Sequence, residues 1–346
     1  MIIAKIETGG NGTVSKYQLD GKIVAMKEIK SPFCGINDSA VKEIHSYYIL
    51  KNCSNIVQLI DIELINSNVR LIMPYYPHDL SQYVNKSLFI ERIQYLEPIT
   101  SQLLDILSHL YQNNIVHGDI KPKNILVNEE MKIYLADFGA ARFNCQIYHG
   151  GLGTEIYEAP ELQNFTSIYV NKVDIWATGI TIVEYLTGRH VFENESYAID
   201  VKKILVSQLD IDKFMLIPNA IINLLDKMLL PNPVERVSIT DLIPGLISKS
   251  FTKNVVKNNF SEYITEVGKQ FKLQDITITT AIELYNKYDN GKDTILTIYG
   301  CIAIASKMNE IHSPEFSDYV FVSDSSFTVE QLKNMEVKLL KLIYDL

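Results

Sequence analysis

Four side chains between positions 119 and 137 divide a chemical task among them. Asp119 and Asp137 offer carboxylates, Lys121 an ammonium and Asn124 an amide. Phosphoryl transfer calls for these residue types, because it needs positioning and charge neutralisation more than covalent chemistry. Upstream, Lys27 supplies a flexible ammonium that can bridge two phosphates once a carboxylate holds it, and Glu43 can be that anchor. Earlier still, Gly9, Gly10 and Gly12 surround Asn11. Without Cβ atoms, their backbone N–H groups can approach a triphosphate closely, with Val14 packing on a base. Taken alone, the same cluster also reads as a hairpin turn.

The elements around these residues have the right periodicity to present them. Residues 2–30 alternate as strands and are broken at the glycine cluster. Lys27 ends the β-branched run Val24-Ala25-Met26-Lys27, and Glu43 stands on the helical stretch from Ser39 to Ile44. An amphipathic helix near 96–114 leads into His117-Gly118-Asp119-Ile120-Lys121-Pro122-Lys123-Asn124. The strand Ile125-Leu126-Val127 follows, and a second strand precedes Asp137-Phe138-Gly139.

In this order and spacing the motifs resemble those of eukaryotic-type serine/threonine protein kinases. The resemblance implies that Asp119 orients a substrate hydroxyl and accepts its proton, while Lys121 steadies the transferring phosphoryl group. Asn124 and Asp137 would bind Mg²⁺. Gly9, Gly12, Val14, Ala25, Lys27, Glu43, Met73 and Tyr76 would form the ATP set, with Met73 at the gate and Tyr76 offering backbone bonds to adenine. Ala159-Pro160-Glu161, Asp174-Ile175-Trp176 with Gly179, and Arg236 paired with Glu161 are implied structural anchors. Gly35 to Ile44, followed by Asn55 to Asp61, is similar to the cyclin-binding helix region (αC) of cyclin-dependent kinases.

The chain also departs from that family. Gly118 replaces the arginine that precedes the catalytic aspartate and clamps a phosphorylated loop residue. The loop from Phe143 to Gly153 has no serine or threonine, only Tyr148, and Gly10 and Asn11 replace the inhibitory phosphosites. Control is therefore expected to rest on αC placement. Glu158 replaces the arginine before Ala159-Pro160-Glu161, so a Ser-Pro preference does not carry over. The stretch between Asp174 and Arg236 is too short for the family's insert.

Beyond about residue 247 the pattern turns helical, with segments near 256–270, 275–288, 293–308, 315–321 and 328–343. Glu262 to Val267 with Phe271-Lys272-Leu273, Ala303 to Glu310, Pro314-Glu315 and Met335 to Leu340 are similar to successive helices of a single cyclin box. Thr328 and Gln331 form a capping-box pattern. The resemblance implies that Lys307 and Glu336 hold the αC segment by its backbone, with Val41 as the apolar knob. Lys257 stands in place of the cyclin arginine, which weakens any case for substrate docking there.

The expected fold is α+β: a bilobal protein-kinase fold, with a small antiparallel-sheet lobe carrying αC and a large mainly helical lobe, followed by an all-α five-helix cyclin-like domain. The expected bounds are 1–247 for the kinase domain (small lobe about 1–73, hinge about 74–77, large lobe about 78–247) and 252–346 for the box. A join of about nine residues reaches at most about 30 Å. That makes docking on the chain's own αC look strained and leaves docking on another copy as an equal alternative. Across 346 residues, 47% are apolar and 21% charged, an ordinary globular balance. The net charge of −9 argues against nucleic-acid binding as the main function. Cys34, Cys53, Cys145 and Cys301 show no metal-ligand spacing and read as free thiols. No apolar run reaches membrane-spanning length, and no signal peptide is evident. The expectation is an intracellular protein, cytoplasmic or nuclear, and the Ile-, Asn-, Lys- and Tyr-rich composition suits an AT-rich genome such as that of a large DNA virus or parasite. Its expected partners are a protein substrate and αC, in the same molecule or another copy; the rival readings are a pseudokinase or scaffold whose box recruits a separate kinase, and an active kinase whose box binds an unrelated protein.

Overall fold

A computed structural model describes residues 2–9, 12–31, 35–65, 68–143, 153–163, 172–190, 200–243, 259–289, 294–310, 312–323 and 325–344. Two compact units emerge: Met1–Ile49 with Gln58–Tyr75 and Ser250–Leu346, and Leu50–Val57 with Tyr76–Lys249. The expected class is borne out, with an antiparallel-sheet small lobe, a mainly helical large lobe and a helical box.

The first unit begins with β1 (Ile2–Gly9), β2 (Gly12–Leu19) and β3 (Lys22–Ile29), and continues through α1 (Asp38–Ile49), β4 (Asp61–Ile65) and β5 (Asn68–Pro74). The five strands form one antiparallel sheet in the order β1-β2-β3-β5-β4. Register decides what this sheet can present. Val14 pairs with Lys27, Lys27 with Leu71, and Ala25 with Met73. Directly paired residues share a face, and so do residues two apart on one strand. Val14, Ala25, Lys27 and Met73 therefore stand on the same face of the sheet.

In the second unit the order runs β6 (His78–Asp79), α2 (Leu80–Lys86), α3 (Phe89–Gln112), β7 (Ile115–Val116), β8 (Ile125–Val127), β9 (Ile133–Leu135) and β10 (Arg142–Phe143). Then come α4 (Pro160–Gln163), α5 (Val173–Thr187), α6 (Val201–Gln208), α7 (Ile211–Met215), α8 (Asn219–Met228) and α9 (Ile239–Leu242). Every residue of α5 is buried, and α3 and α8 pack against it. Its apolar side chains enclose the unit's core, and Trp176 is fully buried there. The Asn55 amide donates to the Ile133 carbonyl at 2.8 Å, tying the segment after α1 to β9.

The box completes the first unit with α10 (Asn259–Gln270), α11 (Asp275–Tyr288), α12 (Thr294–Asn309), α13 (Phe316–Val322) and α14 (Val329–Tyr344). All five fall within a few residues of the expected segments. Helix α12 is buried from Thr297 to Asn309, and α11 and α14 flank it. The capping box forms as expected: the Thr328 amide donates to Gln331 Oε1 at 2.7 Å, and the Gln331 amide to Thr328 Oγ1 at 3.2 Å. Among the described residues, no helix is long and apolar enough to cross a membrane.

Candidate active site

On the sheet unit, β3 fixes Lys27 and α1 fixes Glu43. Lys27 Nζ donates to both carboxylate oxygens of Glu43 at 2.8 Å. Both side chains are buried, Glu43 completely. A buried pair of this kind is tolerated when its geometry is good, and removing one partner strands the other charge. Met73 and Ala25 are buried beside it. Gly9 ends β1 opposite Gly12, whose φ of +130° suits a residue without Cβ. Gly10 and Asn11, expected to replace inhibitory phosphosites, lie outside the described residues.

The other part of the predicted set belongs to the second unit. The turn after β7 is pinned from below by Asp174 at the start of α5. Its Oδ2 accepts the His117 amide at 2.7 Å, and its Oδ1 the Gly118 amide at 2.9 Å. His117 in turn accepts the Asp119 amide on Nδ1 at 3.1 Å. Gly118 has φ +76°, a conformation that costs glycine nothing.

Asp119 is consequently held with both oxygens committed. Its Oδ2 accepts from Lys121 Nζ at 2.7 Å and from Asn124 Nδ2 at 2.9 Å. Its Oδ1 accepts the Thr154 hydroxyl at 2.8 Å, and Lys121 Nζ also donates to Thr154 Oγ1 at 2.6 Å. Asn124 donates further to the Asp119 carbonyl at 2.8 Å. With its NH₂ turned to Asp119, the Asn124 amide presents its carbonyl oxygen away from it, and that is the atom a hard cation takes. Asp137 supplies a carboxylate from a left-handed backbone at φ 63°, ψ 73°, and its Oδ1 accepts the Gly139 amide at 3.4 Å. This oxygen-rich donor set fits Mg²⁺, and the buried ammonium of Lys27 fits a phosphate.

Tyr76 falls in the second unit, where its ring lies 4.6 Å from that of Tyr134. The structural anchors sit as expected. Arg236 pairs bidentately with Glu161 at 2.7 and 2.8 Å and stacks 4.9 Å from the Trp176 ring. Glu158, in the place of the arginine the resemblance implies, lines a hollow with Asp119, Thr154, Tyr157 and Leu162.

Two participants escaped the sequence reading. Thr154 stands one position beyond the loop from Phe143 to Gly153 and outside the quoted motifs. Tyr157 donates to Glu184 Oε2 at 2.6 Å, and burial with that carboxylate pushes its phenol well above the usual tyrosine range. Both lie within five positions upstream of Ala159-Pro160-Glu161, and their residue types alone do not single them out. Tyr148, Lys257, Cys34 and Cys145 lie outside the described residues, as does most of the loop from Phe143 to Gly153; Cys53 and Cys301 are in no disulfide.

A second constellation lies where the box meets α1. The Ile36 amide donates to Glu336 Oε2 at 2.8 Å, and Lys307 Nζ donates to the Ile36 carbonyl at 2.6 Å. Lys307 and Glu336 are themselves an ion pair, both buried, and the Phe316 ring lies 4.7 Å below the ammonium. Val41 is fully buried on α1, which packs against both α12 and α14. Gly35 has φ +85°, and a Cβ there would stand 2.6 Å from Phe316 and 2.9 Å from both Lys307 and Glu336. Here the contact lies within one chain, which is one of the two arrangements the sequence leaves open. Positions 244–258 separate the described residues Ile243 and Asn259.

Comparison with known proteins agrees with this division. The protein kinase domain family matches residues 2–245, and the cyclin N-terminal domain family matches residues 235–345. Human mitogen-activated protein kinase 13 is 32% identical over 210 residues, covering 58% of this chain and 56% of that protein. The same kinase from Bos taurus is 30% identical over 213 residues, covering 59% of this chain and 57% of that protein. The one from Mus musculus is 30% identical over 212 residues, covering 58% and 57%. The chain thus spans somewhat more than half the length of these curated relatives. With about seven-tenths of its length matched, the chain belongs to the protein kinase domain family.

Proposed function

We propose that this chain is a serine/threonine protein kinase that uses MgATP, and that its cyclin-like box holds α1 in the active position within the same molecule. The observation that carries the reading is the pair of grips on one helical segment. Lys307 and Glu336 hold the backbone of Ile36, and Glu43, two turns on, holds Lys27. When bound, MgATP supplies the γ-phosphoryl group and the cation that neutralises its charge. Asp119 would orient the substrate hydroxyl and take its proton, and Lys121 would steady the negative charge beside it. Asn124 and Asp137 would hold the metal, and Lys27 the phosphates, with Gly9, Gly12, Val14, Ala25, Met73 and Tyr76 completing the nucleotide set. A kinase domain over residues 1–247 and a box over 252–346 remain part of this proposal.

The test is ATP-dependent phosphorylation of a protein substrate by the full chain and two variants. The Lys307→Ala/Glu336→Ala chain is expected to lose at least about tenfold in kcat/KM, the loss of a buried charged grip. Asp137→Asn is expected to abolish transfer. Full activity in the first variant removes the internal activator. A wild-type chain that binds ATP but transfers nothing favours the scaffold reading.

A further inference from the structure

The grip at Ile36 acts on main-chain atoms two residues ahead of α1. A hold placed before a helix does not set the helix's roll about its own axis. Glu43 nevertheless meets Lys27 with both oxygens at 2.8 Å, so the roll must be fixed further along. At about 100° per residue, Val41, His45 and Tyr48 share one face of α1, and Glu43 points to the opposite one.

The box touches that first face again. Tyr344, in the last turn of α14, shares a 2.9 Å hydrogen bond between its hydroxyl and His45 Nδ1. Its ring also stands edge-on to those of His45 and Tyr48, with centroids 5.9 and 5.3 Å apart. Tyr344 is buried, and the packing around His45 pulls its imidazole down to about 3, which keeps it neutral. This second contact lies two positions from Glu43 and on the reverse face.

We infer that Tyr344 is a positioning residue: through His45 and Tyr48 it fixes the roll of α1, and with it the Lys27–Glu43 pair, while Lys307 and Glu336 keep the box in place. Docking and activation are then separate tasks assigned to opposite ends of the same helix. The link to activity rests on the kinase reading; the hold on α1 does not.

The test is a double-mutant cycle in the full chain. Tyr344→Phe deletes one hydroxyl and keeps the ring. It is expected to lower kcat/KM about fivefold, the scale of one buried hydrogen bond, and Tyr344→Ala to lower it further. In a Glu43→Gln background, assayed at raised enzyme concentration, Tyr344→Phe should cost nothing more, because its effect runs through Glu43. An equal loss in both backgrounds would make Tyr344 ordinary box core and overturn the proposal. Unchanged rates in both Tyr344 variants would do the same. Amide hydrogen exchange gives an arm independent of catalysis. Tyr344→Phe should speed exchange over residues 45–49 severalfold while the Ile36 amide keeps its protection. Unaltered exchange over 45–49 sinks the idea. If the wild-type chain transfers no phosphate and the exchange pattern is as expected, the hold on α1 stands and the kinase reading fails.

Discussion

Asp119 spends every lone pair it directs at the protein on three donors: Lys121, Asn124 and Thr154. Thr154 is the member that can be removed most cleanly, since it only passes a hydroxyl between Asp119 and Lys121. Thr154→Val is expected to lower kcat about tenfold with KM for ATP unchanged, and Thr154→Ser to restore most of it. Steady-state kinetics separates the two parameters. Gly35 is the corresponding point at the box. Gly35→Ala brings a methyl group into Phe316, Lys307 and Glu336 and asks alanine for a positive φ. It should cost roughly 2 kcal/mol of docking, read as faster exchange of the Ile36 amide. These two residues also show where reading by residue type stops. Aspartate, lysine and asparagine announce their chemistry from the sequence, whereas a threonine just past an assumed loop end announces nothing.

Helices and strands were the most legible level, because burial imposes a period on the sequence. The five box helices follow their apolar spacing to within a few residues, and the face shared by Val14, Ala25, Lys27 and Met73 follows from strand alternation. The pairing of α1 with α14 had no such signal: His45 and Tyr344 are 299 positions apart, and nothing periodic links them. That contact carries a pH dependence. Folding holds His45 at about 3, against 6.5 for a free imidazole, so the unfolded chain takes up a proton first as pH falls. The contribution is complete above pH 6.5 and declines from there toward pH 3, by about 1 to 2 kcal/mol at pH 5. Denaturant melts of the wild type at pH 7.5 and 5 should show this loss, and His45→Gln should shrink it.

At the scale of the molecule, the box clusters with the sheet lobe and not with the helical lobe that precedes it in sequence. Chain order alone leaves docking on the chain's own αC and on another copy as equal alternatives, since reach depends on the length of the join and on three-dimensional separation, and neither has a periodic signature. The tether should matter through effective concentration, which lies in the millimolar range for short flexible linkers. Residues 1–249 should therefore be nearly inactive, and adding residues 250–346 as a separate chain should restore activity only at concentrations far above those used for the intact protein. A titration of one fragment with the other measures this directly. Restoration at nanomolar box would make the tether irrelevant.

The grip on Ile36 uses only its amide and carbonyl, and it is filled by the chain's own backbone. In the proposed reading, activator and enzyme are then synthesised in a fixed one-to-one ratio, and no pool of free activator exists to be made, degraded or shared. Output would rise in direct proportion to the number of chains translated. A change in the supply of a separate regulatory subunit would have nothing here to act on.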